Sequence, residues 1–422
     1  MSSEDSDFVD DIIGDKAPTH SEPAPEVFLP WHRVRKEYIR RHQWNELVIS
    51  MFKRRWKKQS LPDETKWLEN DEEGSGEQVE IDTSLVERPI RCLVIPGQDL
   101  LDLRAMYRDL SQFNCWIRYL GFNEANDSEQ EGTRVHIANN AVTSLDGVVK
   151  NSRVIRDRFE TIAKPSSQAY RYLKEYGPYH IVNLDLCGSM FPNTVKSTQE
   201  YFAALLQLLA YQFENQKSEW LLFLTTMIEP STIDQTAFKD LCKPARKNFD
   251  EHKDFAEQVT KLFPSEPFKA VDSTVNLTAL SENELVQLFG VALGKWILAL
   301  CHNARPQWTV AMRRSYSYPV NDDKGALMLS LAFELHPNVT PPTDPTGISG
   351  ITIPERKYPG ECECAVKLAV SVSGIRDVDC LLKSDKILWT RLRDAQAILL
   401  ESAGYDLASY VAWTDAGEVI SS

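Results

Sequence analysis

Between residues 91 and 227 short apolar runs alternate with longer stretches in which apolar residues recur every three or four positions. The runs 91–95, 115–122, 152–155, 180–186 and 220–227 are apolar almost throughout, as strands buried on both faces are. The stretches 98–112, 135–149, 166–176 and 197–216 have helical spacing. In 197–216, Tyr201, Leu205, Leu208, Leu209 and Phe213 share one face. Strands and helices that alternate in this way join by right-handed crossovers and enclose a parallel sheet between two helical layers. After helical patterns to about 263 and over 282–301, the runs 308–318 and 326–336 flank a turn-rich stretch from Pro319 to Gly325 and predict an antiparallel hairpin. The expected fold class is α/β: a doubly wound, mostly parallel sheet over 91–336 that ends in an antiparallel hairpin.

The flanks have other patterns. Residues 1–25 are acidic and poor in large apolar side chains, which predicts a disordered tail. In 26–60, Val34, Tyr38, Trp44, Leu47, Val48, Met51 and Phe52 recur at helical intervals among arginines and lysines, which predicts a basic, aromatic helical extension. Residues 61–90, with the run from Asp71 to Glu77, read as an acidic linker. Residues 337–422 begin with six prolines between Pro337 and Pro359 and continue as a small helical appendage, with Leu388, Trp389, Leu392, Ala395 and Leu399 on one face.

Charge sharpens this division. The chain carries a net −14, which argues against a general affinity for polyanions. Residues 31–60 nevertheless hold ten Lys/Arg against two acids, between acidic stretches on both sides. Such a segment can dock nucleic acid by neutralising phosphates and by stacking Trp31, Trp44 and Trp56 on bases. It can equally pack its aromatics on the core and pair its arginines with the acidic tail and linker. The composition is that of an ordinary globular protein. No apolar run of about 18 residues stands out and the first twenty positions are acidic, so the expectation is a cytoplasmic protein without a membrane span. The eight cysteines are scattered, and Cys362 and Cys364 have no second ligand pair nearby, so neither a disulfide framework nor a metal is expected. Phosphate-loop, zinc-helix and nucleophile-elbow motifs are absent.

The run 179–191 organises the rest: a hydrophobic strand that ends on Asp185 and breaks at Cys187 and Gly188. Ligands of open α/β sheets gather beyond such strand tips. The order of elements, with its terminal hairpin, is similar to the Rossmann-like fold of class I S-adenosylmethionine-dependent methyltransferases. That resemblance implies S-adenosylmethionine as cofactor, with Gly97 in the turn after the first strand, Glu124 on the ribose hydroxyls, Asp157 near the adenine and Asp185 at the meeting of cofactor and substrate. The repeated glycines usual in the first turn are missing, as are the two prolines and the aromatic that follow the fourth strand in amino-methyltransferases acting on bases. Asp185 and Cys187 are the catalytic candidates, the cysteine as a nucleophile toward a ring carbon or simply as a small packed residue. Two function classes follow: a methyltransferase acting on nucleic acid or a nucleic-acid-associated substrate, and a non-catalytic interaction subunit that keeps the fold.

Overall fold

A computed structural model describes residues 27–56, 89–113, 115–124, 129–192, 195–264, 277–320, 326–339, 344, 346–350 and 357–418. The expected tail 1–25, most of the linker 61–90 and the turn at 321–325 lie outside the described residues. The elements run α1 (Val34–Ile39), a π-helical turn (Arg40–Asn45), α2 (Glu46–Trp56), β1 (Ile90–Val94), α3 (Leu101–Ser111), β2 (Ile117–Phe122), α4 (Glu129–Thr143), β3 (Arg153–Ile155), α5 (Gln168–Tyr176), β4 (Ile181–Asp185), α6 (Val195–Asn215) and β5 (Trp220–Ile228). There follow α7 (Gln235–Glu251), α8 (Lys253–Leu262), α9 (Glu282–Asn303), β6 (Trp308–Met312), β7 (Tyr316–Pro319), β8 (Leu327–Pro337), α10 (Glu361–Ser373), β9 (Arg376–Asp377), α11 (Val378–Ser384), α12 (Lys386–Glu401) and α13 (Leu407–Asp415).

One sheet carries the molecule. Its order is β3-β2-β1-β4-β5-β8-β7-β9, with β6 also paired to β8. Strands β1 to β5 are mutually parallel, and β8 returns antiparallel to β5 from Trp220↔Leu335 to Ile228↔Leu327. The expected hairpin is present, with its first arm in two pieces: β6 lies along 333–337 of β8 and β7 along 327–330. The fold is therefore the α/β class read from the pattern, with the antiparallel strands gathered at one edge.

Alternation along β5 sorts its side chains to two cores. Leu222 and Leu224 face the layer of α5, α6, α7 and α9, while Leu221 and Phe223 face the other layer. That second layer contains α1 and α2: Val34, Ile39, Trp44, Val48, Met51 and Phe52 are buried there, and the Trp44 and Phe223 rings are 6.2 Å apart. Helices α11, α12 and α13 close over the same side, where Phe28, Leu101, Ala105, Leu400, Tyr405 and Tyr410 form a third cluster, while α10 packs in the first layer. Both flanks thus pack on the sheet as covering layers, and neither forms a lobe apart from it.

One helix among the described residues, α9, the helix expected over 282–301, is long and apolar enough to cross a membrane, although no apolar run of that length was expected, and 72% of its apolar window is buried inside the fold. It packs closely enough on α10 that a Cβ at Gly294 would come within 2.6 Å of Leu368, as expected of a core helix.

Candidate functional site

The strand order reverses between β1 and β4, because β2 and β3 extend to one side and β5 to the other. Beyond the carboxyl ends of β1, β2 and β4 at this switch point lies a cleft of about 430 Å³, where open α/β sheets collect ligands.

The turn after β1 forms its floor. Leu100, buried, takes the left-handed conformation at φ 52°, ψ 36°, and its N–H donates to the Gly97 carbonyl at 3.1 Å. A leucine in that region costs about 1–3 kcal/mol, which its burial offsets. Gly97 opens on the cleft, and a Cβ there would meet only Trp31 Nε1, at 3.9 Å. Asp99 and Asp102 also line it. Asp99 accepts from Arg134 Nε at 2.7 Å and from the Tyr405 hydroxyl at 2.9 Å. Burial works against its charge, but His32, Arg134 and Tyr405 outweigh that and hold its carboxyl below the usual range. Asp102 accepts from Arg40 Nε at 2.8 Å.

Glu124 follows β2 at the cleft wall, 52% exposed, with Arg158 Nε 3.5 Å from its carboxylate. Asp157 does not line the cleft; its carboxylate accepts from the backbone N–H of Arg158 at 2.8 Å. The next residues, Arg158, Phe159 and Glu160, line the cleft in its place. Phe159 stands between Phe122, 6.0 Å away, and Tyr201, 5.6 Å away, and makes an aromatic wall.

At the tip of β4, Asp185 meets Lys36 of α1, whose Nζ donates to Oδ1 at 2.5 Å and lies 4.7 Å from the Trp44 ring centroid. Burial disfavours the Lys36 charge, but Asp185 outweighs it and holds the ammonium above its ordinary range. Cys187 and Gly188 sit at the rim. Burial and the nearby Asp185 push the Cys187 thiol up to about 11, opposite to the depression an attacking thiolate needs.

The structure therefore brings Gly97, Glu124, Asp185 and Cys187 to one cleft and leaves Asp157 beside it. Sequence reasoning missed Lys36 and Arg40, which approach the site from the N-terminal helix, and the aromatic pair Phe159 and Tyr201. The available signal was the four-residue spacing of Lys36 and Arg40, which puts both on one helix face. Two buried donors at the cleft have no partner among the described residues: Trp31 Nε1 and the Tyr201 hydroxyl.

The acidic tail 1–25 and most of the linker 61–90 lie outside the described residues, but the 31–60 segment turns part of its charge inward. Its arginines pair with acids of the folded body: Arg40 with Asp102, Arg35 with Asp379 at 3.2 Å, and Arg54 with Glu219 at 3.6 Å and with Glu334.

A family model described as PP_RS20740-like matches residues 25–415. The chain belongs to the PP_RS20740-like family. The match takes in α1, the whole sheet and α13, so the family unit includes both flanks. No curated protein matches this PP_RS20740-like chain. Among solved structures, an rRNA methylase from Streptococcus thermophilus aligns at 8% identity and a TM-score of 0.29, over 60% of this chain and 91% of that one. The plantazolicin methyltransferase BamL, in complex with a triazolic desmethylPZN analog and SAH, aligns at 10% identity and a TM-score of 0.24, over 60% and 79%. At such scores the likeness of this family member to the methyltransferase fold rests on its own strand order.

Proposed function

We propose that the switch-point cleft binds S-adenosylmethionine and that the protein is a methyltransferase of this fold. The observation that carries the reading is the set of groups gathered there: the Glu124 carboxylate as acceptor after β2, the open Gly97 turn after β1, and the unpartnered donors Trp31 Nε1 and the Tyr201 hydroxyl. A carboxylate accepts two hydrogen bonds from a ribose diol, and the wall of Phe159 and Tyr201 suits a purine. The lining holds Asp99, Asp102, Glu124, Glu131, Glu160 and Asp185 against Arg40 and Arg158, and even with Arg134 on Asp99 and Lys36 on Asp185 from outside the lining the remaining acidic excess favours a cationic ligand. When bound, the cofactor would supply an electrophilic methyl group. Asp185, whose carboxyl burial pushes up against the opposing pull of Lys36, would face the acceptor, and Cys187 would stand beside it at the rim.

Calorimetry tests this directly. Saturable binding of S-adenosylmethionine or its demethylated product is expected, and Glu124→Ala should weaken it about tenfold or more, equivalent to about 1.5 kcal/mol, without lowering the melting temperature. No heat from folded protein with either compound at millimolar concentration would remove the reading.

A specific feature favours the second reading, an interaction subunit that binds the cofactor without transfer: the Asp185 carboxylate is already engaged by Lys36. Cofactor binding without release of S-adenosylhomocysteine, across oligonucleotide and amine acceptors, would select it.

A further inference from the structure

A second cavity, of about 540 Å³, opens among α7, α9 and the start of α10 and shares no lining residue with the cleft. Lys243, Lys247, Lys295, His252 and His302 line it, against two acids, Glu251 and Glu361. In a chain of net charge −14 three lysines in one hollow, with two histidines beside them, stand out, and its volume is that of a small-ligand pocket, about 300–1,000 Å³.

The pairing within it leaves cationic capacity over. Glu361 is engaged by Lys295 and by Asn248 Nδ2, the latter at 2.8 Å. Glu251 is 3.9 Å from Lys247, beyond hydrogen-bond length, with both side chains exposed. Lys243 reaches only Asp240, one turn away on the same exposed face, and pairs of that kind contribute little. Lys295 is the costly member: its side chain is 1% exposed, in the middle of α9, where 72% of the apolar window is buried. An ammonium has three donors, and among the described residues Glu361 is the one carboxylate paired with it. Burial pulls its pKa down even with Glu361 in contact, so that contact compensates the buried charge incompletely.

The kind of cation narrows the ligand. No arginine lines the cavity, so the planar fork that grips carboxylates two-handed is missing. Lysines act as point charges and suit phosphoryl oxygens. We propose that this cavity is a binding site for a phosphate-bearing small molecule.

Titration calorimetry of the full chain at low ionic strength tests it, with pyrophosphate as the probe and malonate as the carboxylate control. Pyrophosphate should bind saturably with a dissociation constant below millimolar, and malonate at least about tenfold more weakly. The double variant Lys243→Gln/Lys247→Gln alters two exposed side chains, so it should melt like the parent while losing about tenfold or more in pyrophosphate affinity. Absence of saturable pyrophosphate binding, unchanged affinity in the folded variant, or malonate binding as tight as pyrophosphate would each overturn the proposal. S-adenosylmethionine affinity should not change in the variant, so this test and that of the cleft succeed or fail separately.

Discussion

Asp185 shows what a single residue can and cannot disclose. Its place at a strand tip follows from the apolar run before it, and the same reasoning found Glu124 and Gly97, because strand ends are fixed by where apolar periodicity stops. Its partner was hidden: Lys36 lies 149 positions away in the chain, and helical spacing tells only that Lys36 and Arg40 share a face, not what that face meets. Asp157 failed for a finer reason. Once β3 ends, the turn of the loop decides which of several adjacent residues points inward, and here Phe159 and Glu160 do. The Lys36–Asp185 pair is 6% and 12% exposed, so Lys36→Met should strand a buried carboxylate and destabilise the protein by about 3–5 kcal/mol in urea unfolding. Adding Asp185→Leu should recover much of the loss. Equal destabilisation by the single and double variants would mean that Lys36 acts by packing alone.

At the scale of elements, β8 joins what the pattern foresaw to what it did not. The hairpin was legible from two alternating runs about a turn; the split of its first arm into β6 and β7 depends on backbone geometry that period-two alternation does not record. Beside that split, Glu334 of β8 is 1% exposed and accepts from Arg313 Nε at 2.8 Å, with His336 Nε2 at 3.1 Å and Arg54 of α2 on the same carboxylate. Glu219 completes a cluster of ligand-type atoms within 4.8 Å of one another, and the two arginines make it an ion-pair network. Burial would raise the Glu334 pKa, but His336, Arg313 and Arg54 outweigh burial and hold it at about 2, below its ordinary 4.5. A carboxyl depressed by folding stabilises fully above its unfolded pKa and loses that stabilisation as pH falls through the folded one. The window therefore runs from about pH 4.5 down to about pH 2, and the contribution at neutral pH is about 3 kcal/mol. The stability gap between the parent and Glu334→Gln should be widest at pH 7, unchanged at pH 5, and should shrink steadily below pH 4.5. A gap independent of pH down to 2.5 would refute the assignment.

For the whole molecule, the sequence pattern conveyed the sheet and left the relation of its flanks open. Composition separated 26–60 from 91–336 because the former is basic and the latter is not, yet charge says nothing about which surface a helix covers. The uncovered face of β4, β5 and β8 needed a lid of apolar side chains, and α1 and α2 provide it. This arrangement limits what the basic segment does outside the fold. With Arg35, Lys36, Arg40 and Arg54 turned onto Asp379, Asp185, Asp102 and Glu334, oligonucleotide binding by this segment at physiological salt should be weak, and reversing the Arg40 charge should unfold the protein rather than selectively abolish a contact. The stronger test removes the segment. A chain beginning at residue 89 would expose Phe223, Ala332 and Tyr316 on one face and leave Asp102 and Asp185 without the cations that answer them. Loss of a core layer together with two buried ion-pair partners exceeds the roughly 5–15 kcal/mol by which a domain is ordinarily stable. The shortened protein should therefore give no cooperative thermal transition and bind hydrophobic dye in the manner of a collapsed, unpacked chain. A sharp melt in the shortened protein, with S-adenosylmethionine affinity equal to that of the full chain, would instead make the chain from residue 89 onward self-sufficient and the N-terminal helices a detachable addition.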